Sequence, residues 1–472
     1  MGLRVAVIGA GAAGMAALRE LKEAGLGVTC FEKGERVGGI WAYGNCSGLS
    51  PAYETLHLNT SRARTEYRDY PMPADWPDFP SHEMIQRYFE AYVDHFGLRD
   101  SIRFECGVAH AEPLDGGGWR LDLENGESEE FDALVVANGH NWDPRWPDPP
   151  YPGEFGGEQI HAHDFRSNTI FEGKRVLVVG IGNSAMDIAV ESSLVAERTL
   201  ISTRRGAWIV PKNLLGKPAD QIVRPAMTRL HWRLRQPITQ TLLRATVGRP
   251  ERFGLPAPTQ GFLQDHPTIS DTLLSRITHG EIEPRPGIAR LDGDCIEFTD
   301  GRRDLVDAIV WCTGYRISFP FFDPDLVSAP GGDLPLYKRI FHPDLPSVFF
   351  VGLIQSTGSA IPICEQQSKL VAAHLTGRYA PPPRERQLAD IERTRAKNEK
   401  RYGAGKRPTM RVDFDGFMRE LPRELARGEK RARRTGFVPH LAARGSRAPD
   451  SSEARRERQD ADRGAPTGSG RL

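Results

Sequence analysis

Two glycine-rich segments, each lying between an apolar run and a helix-forming run, constrain the fold of this chain more than any other feature. The first reads VAVIGAGAAG over residues 5–14, and the second reads VLVVGIGNSA over residues 176–185. Runs of β-branched and small apolar residues are typical of buried parallel strands. A glycine turn between such a strand and a helix is typical of a dinucleotide-binding unit. One such turn predicts a nucleotide-binding protein, whereas two predict a protein that passes electrons between two nucleotide cofactors.

The first turn has its strand, helix and acidic residue in the expected order. Gly9 permits a tight turn, Gly11 lets the backbone approach a pyrophosphate, and Gly14 lets the helix pack closely on the strand. The run 12–24 is rich in strong helix formers, and the amino end of that helix would face the phosphates. The next strand ends at Glu32, 18 positions after Gly14, close to the spacing of an acid that binds a ribose hydroxyl. A purely structural strand–turn–helix is the alternative.

The second turn differs from the first in two ways that bear on its ligand. Its third glycine is replaced by Ala185, and its next strand, predicted over 199–203, ends in Arg204 and Arg205 rather than in an acid. Guanidinium groups at this place pair with a 2′-phosphate, whereas a carboxylate would repel it. The second site therefore predicts NADPH rather than NADH, and which of the two arginines makes the contact stays open. The alternative is a solvated strand end.

Composition excludes several classes of protein. Lys+Arg and Asp+Glu both number 62 among 472 residues, so the formal net charge is zero and no global field attracts nucleic acid or an anionic membrane. The six cysteines are scattered without a C-x-x-C pair, which favours a reducing compartment and argues against a disulfide scaffold or a zinc site. The first strand is predicted to begin at about the third residue, so we expect no signal peptide, and no apolar run reaches the roughly 18 residues of a membrane span. We therefore predict a cytoplasmic protein.

The order of elements predicts nested domains in an α/β fold with two Rossmann-like dinucleotide-binding domains built on three-layered parallel sheets. The predicted segments are a first domain over 1–155, a second over 156–314 with an irregular insert at 214–267, a return to the first domain over 315–440, and a disordered tail over 441–472. The tail is charged and almost without large apolar residues, so it cannot bury enough surface to offset its ordering entropy.

The insert contains a basic stretch among apolar residues, with Arg229, Arg233, Arg235 and Arg244. Three interpretations are open for it: a lid, a helix at a membrane surface, or a solvated surface helix.

Several motifs together resemble the flavin-containing monooxygenases, the class B group of flavoprotein monooxygenases. Residues 155–165 match F-x-G-x-x-x-H-x-x-x-F, a pattern that lies between the two glycine turns in that family. Gly38-Gly39-Ile40-Trp41 resembles its glycine pair and tryptophan, and 180–187 resembles its NADPH turn. Residues 311–315, Trp-Cys-Thr-Gly-Tyr, resemble its F-A-T-G-Y linker with two substitutions, and 411–425 is similar to its C-terminal helix. The resemblance spans roughly residues 3–430.

The resemblance implies FAD in the first domain, NADPH in the second, and Asn59 beside the flavin and the nicotinamide ribose as the site residue. In the family, NADPH reduces FAD, and reduced flavin with O₂ gives a C4a-hydroperoxide that soft nucleophiles attack without a catalytic base. The expected substrate is thus a small amine or sulfide with O₂, and a homodimer is expected. The implied cofactor contacts are Gly9, Gly11, Ala13, Gly14, Glu32, Gly39, Ile40, Trp41, Asn59, Thr60, Val108, Gln355, Gly180, Gly182, Asn183, Ser184, Asp187, Arg204 and Arg205.

Three other functions compete with this interpretation. A Baeyer–Villiger monooxygenase shares both turns, but its motif ends in Trp followed by Pro or Asp, whereas Phe165 is followed here by Arg166. A disulfide reductase needs two neighbouring cysteines near the flavin, and Cys46 has no such neighbour. A redox sensor or NADPH oxidase that binds both cofactors without oxygenating a substrate would satisfy both turns, and stays open.

Overall fold

The structure is a computed structural model, and it describes residues 2–115, 117–222, 232–262, 264, 267–403 and 409–439. The predicted tail, 441–472, and Arg229 of the basic stretch lie outside these residues. Within the described ranges, no helix has both the length and the apolar character needed to cross a bilayer.

The first five-stranded sheet carries the first glycine turn. Its parallel strands are, in spatial order, Val348–Phe350, Ala133–Val136, Arg4–Ile8, Gly27–Phe31 and Ile102–Arg103. Side chains alternate between its two faces. Val5 and Val7 pack toward helices Ala12–Glu23 and Ile361–Leu375, whereas Ala6 packs toward a three-stranded antiparallel sheet. The antiparallel strands are Val108–Pro113, Trp119–Leu123 and Ser128–Phe131.

The second five-stranded sheet repeats this plan around the second glycine turn. Its parallel strands are, in spatial order, Glu158–His161, Ala308–Trp311, Arg175–Val179, Arg198–Ser202 and Ile282–Arg285. Val176 and Val178 pack toward helix Asn183–Ser192, and Leu177 toward an antiparallel sheet. That sheet contains Ile288–Gly293, Cys295–Phe298 and Arg303–Leu305. The predicted α/β fold with two Rossmann-like units is confirmed.

The remaining described elements lie outside the two five-stranded sheets. The other helices are Arg62–Thr65, His82–His95, Ala219–Ile222, Trp232–Thr246, Leu273–Thr278, Arg384–Tyr402 and Phe414–Thr435, with 3₁₀ turns at Gly39–Trp41, Arg99–Ser101, Asn168–Phe171, Pro250–Phe253 and Pro330–Gly332. The paired short strands are Asp143–Pro144 with Tyr315–Arg316, Ile209–Val210 with Thr268–Ile269, Asn213–Leu214 with Lys217–Pro218, and Gln355–Ser356 with Arg411–Val412.

The chain passes between the two units at two neighbouring places. Strand Asp143–Pro144 pairs antiparallel with Tyr315–Arg316. The Arg145 amide donates to the Gly314 carbonyl at 2.9 Å, and the Arg145 Nη2 donates to the Thr313 carbonyl at 2.7 Å. The outgoing and returning connections therefore run side by side, and the second unit is inserted between the two parts of the first.

Three predicted element bounds differ from the structure. Strand Gly153–Phe155, which the predicted boundary placed in the first domain, pairs with residues 291–293 of the second unit. The strand predicted over 199–203 runs one residue earlier, over Arg198–Ser202, where it pairs with Arg175–Val179. The segment 411–425 is not one helix, since Arg411–Val412 is a strand and the following helix runs on to Thr435.

Candidate functional site

The first glycine turn has the backbone shape that an approaching pyrophosphate needs. Gly9 has a φ of +95°, in the region that favours glycine, and its amide donates to the Phe31 carbonyl at 2.8 Å. A Cβ on Gly14 would lie 1.7 Å from the Gly9 carbonyl oxygen, so a side chain there is sterically excluded. Helix Ala12–Glu23 starts after Gly11 with no side chain capping it, which leaves its first amides available to an anion.

A second glycine loop packs directly against this turn. The Gly38 amide donates to the Ala10 carbonyl at 3.1 Å, and a Cβ on Gly39 would lie 3.0 Å from the Cα of Gly11. The two backbones thus approach each other without side chains between them. Ile40 is 37% exposed and Trp41 is half-buried. The predicted residues Gly11, Gly39, Ile40 and Trp41 are therefore brought together, and they fit an apolar, phosphate-bearing cofactor such as FAD.

Glu32 directly follows the neighbouring strand, Gly27–Phe31, and its side chain contacts the first glycine turn. Its Oε2 accepts a hydrogen bond from the Ala10 amide at 2.7 Å, and its Oε1 accepts one from the Gly34 amide at 2.8 Å. Burial raises the pKa of the Glu32 carboxyl, and the two amide donors oppose this shift. Each carboxylate oxygen has a further lone pair, so the contacts leave room for the predicted bond to a ribose hydroxyl.

The loop that carries Asn59 and Thr60 lies between two anchored residues. The Leu58 amide donates to the Pro80 carbonyl at 3.0 Å, and the Ser61 amide donates to Asp220 Oδ2 at 2.8 Å. Asn59 is half-buried, and its carboxamide has no hydrogen bond to any described residue. Two donors and an acceptor are therefore available there. Sequence reasoning missed Asp220, because nothing local in its segment indicates a contact with Ser61.

The second glycine turn packs against the residue that follows strand Ala308–Trp311. A Cβ on Gly180, whose φ is +137°, would lie 2.7 Å from the Cys312 carbonyl oxygen. Helix Asn183–Ser192 starts after Gly182, where no side chain caps it. Asn183 Oδ1 accepts a hydrogen bond from the Ile269 amide at 2.8 Å. Ser184 lies half-buried in the first turn of the helix, so the predicted NADPH-turn residues other than Asp187 and the two arginines are grouped here.

Asp187 contacts the first unit. The Tyr53 hydroxyl donates to Asp187 Oδ2 at 2.6 Å. Burial raises the pKa of the Asp187 carboxyl and that of the Tyr53 hydroxyl, so the pair shares a poorly solvated position. The sequence predicts a nucleotide contact for Asp187, whereas its hydrogen-bond partner in the structure is a tyrosine of the other unit. The motif gives no signal for Tyr53.

Arg204 and Arg205 lie just beyond the end of strand Arg198–Ser202, and both are exposed. Neither side chain forms an ion pair with any acid in the described ranges. Arg198, at the start of that strand, differs in that its guanidinium binds Glu283 at 2.7 Å. Arg204 and Arg205 are therefore cations without an acidic partner in the described part of the chain, as a site for a phosphate requires.

Two predicted residues lie in other surroundings. Val108 begins strand Val108–Pro113 and packs half-buried against the core beneath the first sheet. The Gln355 amide donates to the Met410 carbonyl at 2.9 Å, within a short two-stranded pair. A cavity of about 390 Å³ adjoins this region and is lined by Asp333, His342, Arg395 and apolar residues of 326–335. None of the residues that line this cavity belongs to either glycine turn. The amides that can bind a cofactor phosphate lie at the turns, so this cavity is not the cofactor site.

Comparison with solved structures supports the fold. S-allyl-L-cysteine S-oxygenase from Allium sativum superposes with a TM-score of 0.67 at 25% identity, over 98% of this chain and 99% of that one. A cyclohexanone monooxygenase superposes with a TM-score of 0.68 over 90% of this chain and 98% of that one, and its 18% identity bears on the fold alone.

Comparison of sequences identifies the family. A family profile described as flavin-binding monooxygenase-like matches residues 2–431. Flavin-containing monooxygenase 5 of Homo sapiens is 32% identical over 437 residues, which cover 89% of this chain and 82% of the relative. Dimethylaniline monooxygenase (N-oxide-forming) 2 of Rattus norvegicus is 32% identical over 444 residues, with the same coverage. The chain therefore belongs to the flavin-binding monooxygenase-like family, and the predicted FAD and NADPH are the cofactors of its class.

Proposed function

We propose that this protein uses NADPH, FAD and O₂ to add one oxygen atom to a nucleophilic nitrogen or sulfur of a small molecule. The observation that carries the proposal is the carboxamide of Asn59, which has no hydrogen-bond partner among the described residues and lies on the anchored loop of the flavin unit. Such a carboxamide is suited to bind a cofactor, because it offers both donors and an acceptor. Family membership supports the monooxygenase class.

The residues of the chain bind, orient and shield the cofactors, while bound FAD supplies hydride acceptance and O₂ activation. The free amides at the start of helix Ala12–Glu23 neutralise the pyrophosphate, and Glu32 orients a ribose. Arg204 and Arg205 neutralise a 2′-phosphate. Asn59 donates hydrogen bonds at the reacting atoms and keeps water from taking that place.

A histidine base is unnecessary for such chemistry, and His161 fits this expectation. His161, the histidine of the F-x-G-x-x-x-H motif, is fully buried and its Nδ1 accepts a hydrogen bond from the His163 amide at 3.0 Å. Burial lowers the pKa of His161 to about 4, so the ring is neutral near pH 7. We propose that His161 orients the connection between the two units, since its ring contacts Trp146 and Tyr315 from the two crossing segments.

Oxygenation of nitrogen or sulfur is favoured over oxygenation of a ketone. Some relatives have names that state the oxidised atom: the N-oxide-forming enzyme of rat acts on nitrogen, and the S-oxygenase of Allium sativum acts on sulfur. Phe165, which takes the place of the tryptophan of Baeyer–Villiger enzymes, is fully buried and its ring lies 5.6 Å from that of Tyr53. Ketone oxygenation stays the second candidate because the cyclohexanone enzyme shares the fold.

The test measures how the electrons of NADPH are divided between oxygenated product and hydrogen peroxide. The purified protein is given NADPH and O₂ with a panel of tertiary amines, sulfides and ketones, and oxygenated product, NADPH consumption and hydrogen peroxide are quantified. We expect product in near-stoichiometric ratio to NADPH with an amine or a sulfide. Asn59→Ala should keep its flavin but raise the peroxide fraction, whereas Asn125→Ala, at an exposed turn, should behave as the wild type.

Other outcomes select the alternatives. Product from ketones alone supports Baeyer–Villiger oxygenation. A flavin that NADPH leaves oxidised supports a redox sensor, and rapid NADPH consumption that yields only peroxide supports an oxidase. If Asn59→Ala leaves coupling unchanged, Asn59 has no part in oxygenation.

We also propose that the enzyme acts in the cytoplasm as a homodimer. All six cysteines are free, which suits a reducing compartment. Light scattering of the purified holoenzyme tests the dimer, because a monomer mass would contradict it.

A further inference from the structure

The insert of the second unit contacts the loop that carries Asn59. The Ser61 amide donates to Asp220 Oδ2 at 2.8 Å, and the Gln221 Nε2 donates to Ser61 Oγ at 2.9 Å. Ser61 is fully buried. Both contacts join residues about 160 positions apart in the chain, so the insert fixes the residue two positions after Asn59.

Asp220 is a strong acceptor at this place. A carboxylate that accepts from a backbone amide forms a charge-assisted hydrogen bond, about twice as strong as a neutral one. Its other oxygen, Oδ1, is buried and has no hydrogen-bond partner among the described residues. A buried acceptor without a partner is costly, so a carboxylate is an unfavourable choice for a contact that serves only to attach the insert. The hydrogen bond from the Ser61 amide to Oδ2 is the contact that offsets this cost.

The same insert is tied to the second glycine turn. The Ala219 amide donates to the Lys212 carbonyl at 2.8 Å, and the Lys212 amide donates to Asp271 Oδ1 at 2.8 Å. Asp271 follows the strand Thr268–Ile269, whose Ile269 amide bonds Asn183 of the turn. A continuous set of hydrogen bonds and short chain segments therefore runs from the NADPH turn to Ser61.

We propose that Asp220 is a positioning residue that holds the Asn59 loop in its oxygenating geometry through the Ser61 amide, and so links the insert of the nicotinamide unit to the coupling of the reaction. The inference rests on the function proposed above. Asp220 acts through Ser61, and its loss should change how efficiently electrons reach the substrate rather than how well either cofactor binds.

The experiment compares Asp220→Ala, Asp220→Asn and Asp132→Asn in the full-length holoenzyme. Asp132 is the matched control, because it too is half-buried and accepts a backbone amide from a distant residue, that of Arg4 at 2.7 Å, but it does not contact the Asn59 loop. We expect Asp220→Ala to raise the peroxide fraction at least threefold while flavin content and the KM for NADPH stay within twofold. The peroxide fraction of Asp220→Asn, which retains a neutral acceptor, should lie between those of Asp220→Ala and the wild type, and that of Asp132→Asn should match the wild type.

A double variant gives an independent readout. Because Asp220 is proposed to act through the Asn59 loop, adding Asp220→Ala to Asn59→Ala should cause no further loss of coupling. A wild-type peroxide fraction in Asp220→Ala overturns the inference alone, as does an equal increase in Asp132→Asn or an additive double variant. A wild-type enzyme that forms no oxygenated product overturns the proposed function and this inference with it. Should Asp220→Ala fail to fold, the comparison of Asp220→Asn with Asp132→Asn decides.

Discussion

The Tyr53 hydroxyl donates a 2.6 Å hydrogen bond to Asp187 Oδ2, although the two residues belong to different dinucleotide-binding units and lie 134 positions apart. Burial raises the pKa of the Tyr53 hydroxyl and that of the Asp187 carboxyl, so the hydrogen bond between them is poorly solvated. The ring of Tyr53 also lies 5.6 Å from that of Phe165. Tyr53 of the flavin unit therefore contacts both the helix Asn183–Ser192, through Asp187, and the motif between the two units, through Phe165.

Tyr53→Phe removes the hydroxyl and leaves the Asp187 carboxylate buried without its partner. We expect the free energy of unfolding to fall by about 1–3 kcal/mol, the cost of an unsatisfied buried acceptor. Urea unfolding at pH 7 measures it, with Tyr43→Phe, a more exposed tyrosine, as the control. In an Asp187→Asn background, Tyr53→Phe should lower the free energy of unfolding by less, because burying a neutral amide without a partner costs less free energy than burying a carboxylate without one. Equal costs in both backgrounds would show that the hydrogen bond contributes little.

Arg204 and Arg205 are exposed cations without an acidic partner in the described ranges, and we expect them to distinguish NADPH from NADH. A lost charge-assisted hydrogen bond costs about 1.5–3 kcal/mol, or about 10- to 150-fold in KM. The double alanine variant should show this increase for NADPH and little change for NADH, and each single variant identifies which arginine makes the contact. Arg249→Ala, another exposed arginine of the second unit, should leave both values unchanged. Equal weakening of both cofactors would contradict the 2′-phosphate assignment.

The parts of the site that could be predicted from the sequence are those whose signals are local. Gly9, Gly14 and Gly180 occupy positions where a Cβ would collide with a backbone carbonyl, so a glycine is required wherever this turn is built. Glu32, like the arginine pair, follows its strand at a spacing that the sheet geometry imposes. The strands themselves are apolar because parallel strands are covered on both faces.

The contacts between distant segments could not be predicted. Tyr53 with Asp187 and Ser61 with Asp220 join positions whose residue types are ordinary in their own surroundings, and only the relative placement of the two units brings them together. The surroundings of Arg235 could not be predicted either, because in the sequence it is one of several arginines in a basic stretch for which three interpretations are open. In the structure it is buried and pairs with Asp413 at 3.1 Å.

Gly11 and Gly14 should respond differently to alanine, which separates cofactor binding from folding. A Cβ on Gly11, whose φ is −74°, would make an ordinary 3.5 Å contact with Gly39 Cα, so Gly11→Ala should fold but retain flavin at least tenfold less tightly, about 1.4 kcal/mol. A Cβ on Gly14 would lie 1.7 Å from the Gly9 oxygen, so Gly14→Ala should lose stability itself. The flavin-to-protein absorbance ratio and urea unfolding distinguish the two. A fully flavinated Gly11→Ala would refute the pyrophosphate assignment.

A carboxylate cluster between the two helices on the first sheet gives a pH-dependent prediction. Oxygens of Glu20, Asp69 and Glu365 lie within 4.8 Å of one another. Lys369 Nζ binds Glu365 at 2.6 Å and lies 3.8 Å from Glu20, and Arg19 Nη1 lies 3.6 Å from Glu20. Burial outweighs these cations and raises the pKa of Glu20 to about 7.

Because the pKa of Glu20 is higher in the folded than in the unfolded protein, the folded state binds the extra proton between about pH 4.5 and pH 7. The contribution of Glu20 to stability is therefore full below that window, declines as pH rises through it, and is constant above it. Glu20→Gln removes the titration, so its free energy of unfolding relative to the wild type should increase by about 1–2 kcal/mol from pH 5 to pH 8, after allowance for solvent screening. Urea unfolding at four pH values measures this. Glu23→Gln, at a half-exposed partner of Arg19, should show no such trend, and a pH-independent difference for Glu20→Gln would contradict the raised pKa.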